Sequence, residues 1–326
     1  MSDPFQVHLY AGYDAGFVRK LRSLLTPGIR LTSGDEEPGD FRVLVAGRPD
    51  RSLLMSSGNL EALVIPWAGL PETTAAVLTE FPGLRVYSIH HNADAAAEMA
   101  VSLMLAAARR IIPAHEALRR GDWTSRYAPG DSMLVGRSRI LVLGWGAIGR
   151  RVGTVCRSMG ASVKGIRLHA DPSEEAAGVY PPSRLHDMLP ETDILVVCLP
   201  LTPMTRGMIG EEELALLPPH AVLVNVGRGE VVPEETLYLR LKSGSLGAAG
   251  IDVWYSYPDS EESRRDTMPS AYPFHELDNV VMSPHRAGAH GIPALEELRA
   301  GCLAETLNVL AAGGEPPGAV DPELGY

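Results

Sequence analysis

The residues Ile140-Leu-Val-Leu-Gly144-Trp-Gly146-Ala-Ile-Gly149 carry the clearest indication of the fold. An apolar run leads directly into the glycine pattern Gly-x-Gly-x-x-Gly, and an amphipathic helical pattern follows and ends at Gly160. In such a strand–turn–helix unit the glycines permit a tight turn, close approach of a pyrophosphate, and packing of helix on strand. The pattern predicts a dinucleotide site with the pyrophosphate at the helix N-terminus. The predicted contacts at this turn are Gly144, Trp145, Gly146, Ala147, Ile148 and Gly149.

Short apolar runs alternate with helical patterns along most of the chain, as is typical of parallel sheets covered by helices. We predict helices over 17–25, 73–81, 94–112 and 294–311, with Pro113 stopping or kinking the third. The predicted strands are 7–10, 43–46, 62–65, 86–89, 140–143, 163–166, 194–199, 221–226, 248–253 and 280–282. The pattern therefore indicates two α/β units joined by a long helix.

Composition narrows the class of protein. The chain has 326 residues, of which 45% are hydrophobic and 21% charged, as in folded proteins of about two domains. The net charge of −11 argues against a nucleic-acid partner. Cys156, Cys198 and Cys302 form neither a disulfide framework nor a metal-ligand pattern, so we expect no metal and a reducing compartment. The N-terminus resembles no signal peptide, and charges interrupt the apolar stretch 95–112, so we expect a cytoplasmic protein without membrane contact.

Arg167 stands near the position that distinguishes the two nicotinamide dinucleotides. About 20 residues after the glycine turn, NAD-binding proteins place an acidic residue that binds the ribose 2′-hydroxyl. Here Arg167 follows the strand over 163–166, and Asp171 lies further along. Arginine can pair with a 2′-phosphate and stack on adenine. The cofactor is therefore expected to be NADP or NAD, with NADP favoured, unless Arg167 is a solvated surface residue.

Further motifs resemble the D-isomer-specific 2-hydroxyacid dehydrogenase family, which includes glyoxylate/hydroxypyruvate reductases, phosphoglycerate dehydrogenases and formate dehydrogenases. They are NADAAAE (92–98), DILVVCLPLTPMTRG (193–207), NVGRGE (225–230), GIDVW (250–254) and SPHRAG (283–288). The resemblance implies two doubly wound parallel-sheet (Rossmann-like) α/β domains. It also implies a cofactor domain of residues 99–287 inserted into a substrate domain of residues 1–98 and 288–326, and a homodimer. The resemblance also implies further cofactor contacts at Leu199, Pro200, Thr205, Val226, Gly227, Arg228, Asp252, His285 and Gly288.

The chemistry of hydride transfer at C2 of a hydroxy acid requires an anchor for the carboxylate and a group that exchanges a proton. Arg228 suits the first role, because a guanidinium binds a carboxylate with two parallel hydrogen bonds. His285 suits the second, because an imidazole with a pKa near ~6.5 serves as acid or base around neutrality. The resemblance adds the amides of Ala68 and Gly69 as carboxylate ligands. It also adds Asn92 as a substrate ligand, although an Asx cap of the following helix fits equally well.

The sequence departs from the family at the partner of the catalytic histidine. Family members usually carry Glu five residues after the counterpart of Asp252, and formate-type members carry Gln, whereas this chain has Tyr257. A phenol is neutral near pH 7, so Tyr257 can orient His285 without the charge that raises a histidine pKa. Tyr257 is therefore a candidate catalytic residue, and His285 is expected to titrate lower than in Glu-bearing relatives. The carboxylate of Asp259, Glu261 or Glu262 is the alternative partner.

These observations predict an oxidoreductase that transfers a hydride between NAD(P)H and a small 2-oxo or 2-hydroxy acid, in the manner of a glyoxylate/hydroxypyruvate reductase. The active site is expected in a cleft at the carboxyl ends of the strands. A formate-type dehydrogenase is favoured by Asn92 and disfavoured by Tyr257. A catalytically impaired nucleotide-sensing binding protein of the same fold is disfavoured by Arg228 and His285.

Overall fold

The computed structural model describes residues 4–10, 12–34, 36–37, 39–127, 130, 132–289, 291–322 and 325. The chain divides into two compact units, of which the first contains Met1–Asn92 and Ala289–Tyr326 and the second contains Ala93–Gly288. The second unit is thus inserted into the first. Each contains one parallel sheet, which confirms the predicted fold class of two doubly wound α/β units.

The secondary structure follows the predicted alternation. The strands are β1 (Phe5–Leu9), β2 (Ile29–Ser33), β3 (Val43–Val45), β4 (Ala62–Ile65), β5 (Arg85–Ser88), β6 (Arg139–Leu143), β7 (Ser162–Ile166), β8 (Val179–Tyr180), β9 (Ile194–Val197), β10 (Val222–Asn225), β11 (Ala248–Ile251) and β12 (Val280–Met282). The helices are α1 (Ala15–Leu24), α2 (Arg51–Met55), α3 (Glu72–Leu78), α4 (Ala93–Ala108), α5 (Ile111–Arg119), α6 (Thr124–Tyr127), α7 (Ala147–Ser158), α8 (Leu185–Met188), α9 (Glu211–Leu216), α10 (Glu234–Lys242) and α11 (Pro293–Ala311).

The first unit has the strand order β2-β1-β3-β4-β5. Its central strands β3 and β4 are short runs of apolar residues that are buried on both faces, as is typical of parallel strands. Apolar residues of α1 and α11 cover one face of the sheet, and those of α2 and α3 cover the other. The loops after β4 and β5 therefore leave the sheet at the same carboxyl edge.

The second unit has the strand order β12-β11-β10-β9-β6-β7-β8. Helices α4 and α7 pack on one face, and α8, α9 and α10 pack on the other. From β6 the chain moves outward through β7 and β8 and then returns to β9 on the other side of β6. Such a reversal opens a crevice at the carboxyl edge, where ligands bind in sheets of this kind. The glycine turn after β6 lies at this reversal.

The apolar helix α4 is buried against the second sheet. At Gly250 of β11 an ideal Cβ would lie 2.9 Å from the Cβ of Leu103, so glycine permits this close packing. The predicted single helix over 94–112 is wrong, because Arg110 adopts a left-handed conformation (φ 53°) and separates α4 from α5. Pro113 neither stops nor kinks a helix; it lies in the first turn of α5, where its missing N–H is harmless. Within the described ranges, no helix is long and apolar enough to cross a membrane.

Candidate active site

The glycine turn after β6 has the geometry of a pyrophosphate site. Gly144 has a positive φ of 93°, and an ideal Cβ there would lie 2.8 Å from the carbonyl oxygen of Cys198. A Cβ at Gly149 would lie 2.2 Å from the carbonyl oxygen of Gly144. At Gly146, the N-cap of α7, a Cβ would meet nothing within 4 Å. The open space at Gly146 and the first-turn amides of α7, at Ala147, Ile148 and Gly149, therefore fit a dinucleotide pyrophosphate.

Trp145 differs from its neighbours in this turn. Its side chain is only 7% exposed and packs on Gly153 and Gly165, whose ideal Cβ atoms would each lie 2.3 Å from the indole ring. The guanidinium of Arg157 covers the ring at 5.1 Å, and the Trp145 amide donates to the Ile166 carbonyl at 2.9 Å. Trp145 was predicted to contact the dinucleotide. In the structure its ring packs against glycines of the second unit, and its amide donates to a carbonyl of the same unit.

Arg167 lies directly after β7 with its side chain 45% exposed. Its Nη1 is 3.4 Å from Oε1 of Glu174. The other carboxylate oxygen of Glu174, Oε2, accepts a hydrogen bond from the Asp171 amide. Asp171 in turn caps the 3₁₀ helix Pro172–Ala177. An exposed ion pair of this kind contributes little free energy, so Arg167 can exchange Glu174 for a more highly charged anion.

The loop after β9 is closed by its own side chains. The Thr205 hydroxyl donates to the Pro200 carbonyl at 2.6 Å and accepts from the Thr202 amide at 2.8 Å. At Gly227, after β10, an ideal Cβ would lie 2.4 Å from the carbonyl oxygen of Leu199. The two loops therefore pack backbone against backbone, and the Thr205 hydroxyl, which was predicted to contact the cofactor, shapes this turn.

Arg228 is presented by the same loop after Val226 and Gly227. The side chain of Asn225 accepts from the Gly227 amide at 3.0 Å and donates to the Arg228 carbonyl at 2.9 Å. The guanidinium donates to the Gly227 carbonyl at 2.8 Å. Burial lowers the pKa of Arg228, although its ordinary value is so high that the charge persists at neutral pH. Among the described residues no carboxylate pairs with Arg228, so this cation is suited to an anionic ligand.

Asp252, directly after β11, holds the loop that carries His285. Its carboxylate is fully buried and accepts hydrogen bonds from the Ser283 hydroxyl and from the amides of Arg286 and Ala287, the latter two at 2.8 Å each. Three donors from one short loop thus converge on one charged group. The structure therefore shows Asp252 anchoring the loop 283–287, whereas its predicted contact with the cofactor stays a prediction.

His285 and Tyr257 are in direct contact. The Tyr257 oxygen lies 2.9 Å from Nδ1 of His285 and accepts from the Trp254 amide at 3.0 Å. His285 itself has a positive φ of 53°, a left-handed conformation that is uncommon for a residue other than glycine. Of the acidic alternatives, Asp259 accepts from Ser263 and Glu261 pairs with Arg264 within their own segment. The structure therefore places the phenol, and not these carboxylates, beside the histidine.

Three supporting residues were not singled out as functional from the sequence: Asn225, Trp254 and Ser283. Trp254 is 5% exposed, and its indole N–H donates to the Ser283 carbonyl at 2.8 Å. Asn225 and Ser283 brace the loops of Arg228 and His285. All three lie inside the motifs quoted above, so their position was the available signal. The contacts of Trp254 and Ser283 join segments about 30 residues apart and have no local pattern, whereas those of Asn225 are local.

Predicted substrate ligands also occur in the first unit. The loop after β4 contains Ala68 and Gly69 (φ 85°), and among the described residues neither amide has a hydrogen-bond partner. Asn92 follows β5, and its Oδ1 is buried without a partner in the described part of the chain. An Asx cap would require that oxygen to accept a backbone amide, so the capping alternative is wrong. Gly288 is the last residue of the second unit.

Comparison with known proteins agrees with this geometry. Residues 101–287 match the family described as D-isomer specific 2-hydroxyacid dehydrogenase, NAD binding domain. The chain is 36% identical to the glyoxylate reductase of Aeropyrum pernix over 237 residues, which cover 71% of this chain and 67% of that protein. It is 30% identical to glyoxylate/hydroxypyruvate reductase B of Pectobacterium atrosepticum over 287 residues, covering 85% and 84% of the two chains.

Among solved structures, the chain resembles a D-isomer specific 2-hydroxyacid dehydrogenase from Xanthobacter autotrophicus Py2 in complex with NADPH and MES. The TM-score is 0.80 with 26% identity, covering 99% of this chain and 100% of that one. These similarities do not favour the formate-type dehydrogenase or the nucleotide-sensing binding protein considered above. The chain belongs to the D-isomer specific 2-hydroxyacid dehydrogenase family and is an NAD(P)-dependent oxidoreductase acting on 2-oxo and 2-hydroxy acids.

Proposed function

We propose that the protein reduces a small 2-oxo acid of the glyoxylate or hydroxypyruvate type to the 2-hydroxy acid. The main support is the placement of Arg228 and His285 after β10 and β12, two strands of one parallel sheet whose carboxyl ends share an edge. Arg228 has no carboxylate partner among the described residues, and His285 is held by a braced loop. Relatives named glyoxylate reductase and glyoxylate/hydroxypyruvate reductase point to the same substrate class.

In this proposal Arg228 binds the substrate carboxylate and polarises the adjacent carbonyl, and His285 supplies the proton that the oxygen on C2 acquires. The reduced nicotinamide, when bound, supplies the hydride. Ala68 and Gly69 hold the carboxylate through their amides, and Asn92 is a further substrate ligand. Asp252 and Tyr257 position His285, because both contact its loop or its ring.

The test is oxidation of NADH and NADPH with glyoxylate, hydroxypyruvate and phenylpyruvate, with formate and NAD(P) as the comparison. We expect turnover with the small 2-oxo acids and none with formate. An Arg228→Gln variant is expected to lose most of this activity. If no 2-oxo acid in a broad panel is reduced while the dinucleotide still binds, the proposed function is wrong and a binding protein is the better description.

We propose NADP as the preferred cofactor, with the 2′-phosphate replacing Glu174 as the partner of Arg167. The remaining predicted contacts are Leu199, Pro200, Thr205, Val226, Gly227 and Gly288, in the loops at the same sheet edge. An Arg167→Asp variant should lose NADPH efficiency and retain NADH efficiency. Arg184→Asp is the matched control, because Arg184 is also a half-exposed arginine paired with a carboxylate of this unit, Asp187. Equal NADPH efficiency in the wild type and Arg167→Asp would contradict the proposal.

We also propose a cytoplasmic homodimer. The described residues of the segment 111–134 include large apolar side chains that a monomer would leave in water. They are Ile111, Ile112, Leu118, Trp123, Tyr127 and Leu134, between 44% and 79% exposed. Light scattering coupled to gel filtration should give twice the chain mass of 35.0 kDa, and a Trp123→Glu variant should shift it toward the monomer. A wild-type mass of one chain would refute the dimer.

A further inference from the structure

We propose that Tyr257 holds His285 in the neutral tautomer with its proton on Nε2, so that the uncharged imidazole can donate a hydrogen bond to the substrate carbonyl. The tautomer follows from hydrogen bonds inside the second unit. Only the hydrogen bond from Nε2 to the substrate carbonyl rests on the proposed function.

The phenol oxygen of Tyr257 lies 3.0 Å from the Trp254 amide nitrogen and 2.9 Å from Nδ1 of His285. A backbone amide can only donate, so the phenol oxygen accepts from Trp254. If the oxygen also accepted from an Nδ1–H group, the phenol proton would lack an acceptor among the described residues. Both contacts are satisfied together when the phenol donates to Nδ1.

Tyr257 keeps its proton at neutral pH. Burial raises the pKa of Tyr257 and outweighs the Trp254 hydrogen bond and the charge of Arg228, which lower it. The carboxylates of Asp252 and Glu230 also raise it. Among the described residues these are the charged groups that act on the phenol, and Asp252 additionally holds the loop of His285. The group beside Nδ1 is therefore a neutral hydroxyl that can donate, which a carboxylate cannot do.

The tautomer follows from the imidazole itself. A neutral ring has one donor nitrogen and one acceptor nitrogen, and the hydrogen bond at one nitrogen sets the other. With Nδ1 accepting from Tyr257, the proton lies on Nε2. A carboxylate in place of Tyr257 would accept from Nδ1–H instead, which leaves Nε2 without a proton unless the ring is charged. Tyr257 is thus a positioning residue that lets His285 bind a carbonyl oxygen without first taking up a proton. The proton transferred during reduction comes from the imidazolium, because loss of Nε2–H from the neutral ring would leave an imidazolate.

The direct test is nitrogen NMR of the full-length protein labelled with ¹⁵N-histidine, at a pH where His285 is neutral. The signal among the ten histidines is assigned by its absence in His285→Gln. We expect the proton on Nε2 in the wild type, a mixture of tautomers in Tyr257→Phe, and the proton on Nδ1 in Tyr257→Glu. Tyr255→Phe is the control and should not change the signal, because that hydroxyl donates to the Val232 carbonyl. A wild-type proton on Nδ1 would overturn the proposal, even if no variant folds.

A binding measurement tests the consequence. Oxamate, an unreactive isostere of a small 2-oxo acid, is titrated into the NADPH-saturated protein from pH 6 to 9. Its dissociation constant should be nearly constant for the wild type and should rise about tenfold per pH unit above the histidine pKa for Tyr257→Glu. The same rise in the wild type would refute the role of the neutral imidazole. If oxamate does not bind while Nε2 carries the proton, the proposed function fails and the tautomer assignment stands.

Discussion

Replacement of Asp252 by asparagine tests how the His285 loop is held. The buried carboxylate accepts three hydrogen bonds, from the Ser283 hydroxyl and the amides of Arg286 and Ala287. Asparagine has the same shape but one acceptor oxygen, so its NH₂ group must face at least one of these donors. The variant therefore keeps the volume of the site and removes part of the anchor.

The expected magnitude follows from these contacts. Hydrogen bonds to a charged group contribute about 1.5–3 kcal/mol, and a buried amide left without a partner costs about 1–3 kcal/mol. Because the solvent-exposed loop can open to relieve part of this cost, we expect a net penalty of about 3 kcal/mol on the anchored arrangement of 283–287. Since 1.4 kcal/mol corresponds to a factor of ten, the equilibrium constant for anchoring should fall about 100-fold, and kcat/KM should fall by up to the same factor as the loop opens.

The assay measures kcat/KM with glyoxylate or hydroxypyruvate, the dissociation constant of NADPH, and the free energy of unfolding in urea. Asp193→Asn is the matched control, because Asp193 also accepts several hydrogen bonds, from Arg139 and His220, but precedes β9 at the opposite edge. The control should lose stability and keep kcat/KM. The reasoning is refuted if Asp252→Asn keeps kcat/KM within about twofold of the wild type. A rise in the NADPH dissociation constant with unchanged kcat would instead assign Asp252 to cofactor binding.

Three further outcomes are expected. Arg228→Lys keeps the charge but loses the paired geometry, so the KM for the 2-oxo acid should rise about 10–100-fold, and an unchanged KM would contradict carboxylate binding. Gly165→Ala places a Cβ 2.3 Å from the Trp145 ring and should lower the free energy of unfolding in urea by about 1–3 kcal/mol. An unchanged free energy of unfolding would contradict this packing. Burial alone would raise the pKa of Asp193, but hydrogen bonds, chiefly from Arg139, lower it to about 2. The lowered pKa contributes about 2 kcal/mol that is present above pH ~4 and lost as pH falls toward ~2. The stability deficit of Asp193→Asn should shrink over that range, and a constant deficit would refute the pKa assignment.

Most of the second sheet could be predicted from sequence because its strands are continuous apolar runs. The predicted strands 140–143 and 163–166 lie within β6 and β7. The first unit was harder, since the edge strand β2 contains Arg30 and Thr32, and its polar residues hide the strand pattern. Thr32 is buried, and its hydroxyl lies 3.0 Å from Nδ1 of His8, a contact that strand periodicity does not reveal.

The candidate site shows the same division. The glycine turn was predictable because its requirements are local: a positive φ at Gly144 and close packing at Gly149. The role of Trp145 was not, because its ring packs on Gly165 of the next strand. The partner of His285 was open between Tyr257 and the carboxylates that follow it, since these residues lie within a few positions of each other.

The alternation of strands and helices, the dinucleotide turn, and the placement of Arg228 and His285 after apolar strands could all be read from the sequence. These features depend on side-chain periodicity and on backbone geometry within a few residues. The contact of Tyr257 with Nδ1 of His285 and the anchoring of its loop by Asp252 are visible only in the folded chain. Those contacts join residues about 30 positions apart, because adjacent parallel strands bring their carboxyl ends together. The direction of the proton in that hydrogen bond depends on which donors surround one phenol oxygen, and this is a property of the folded chain.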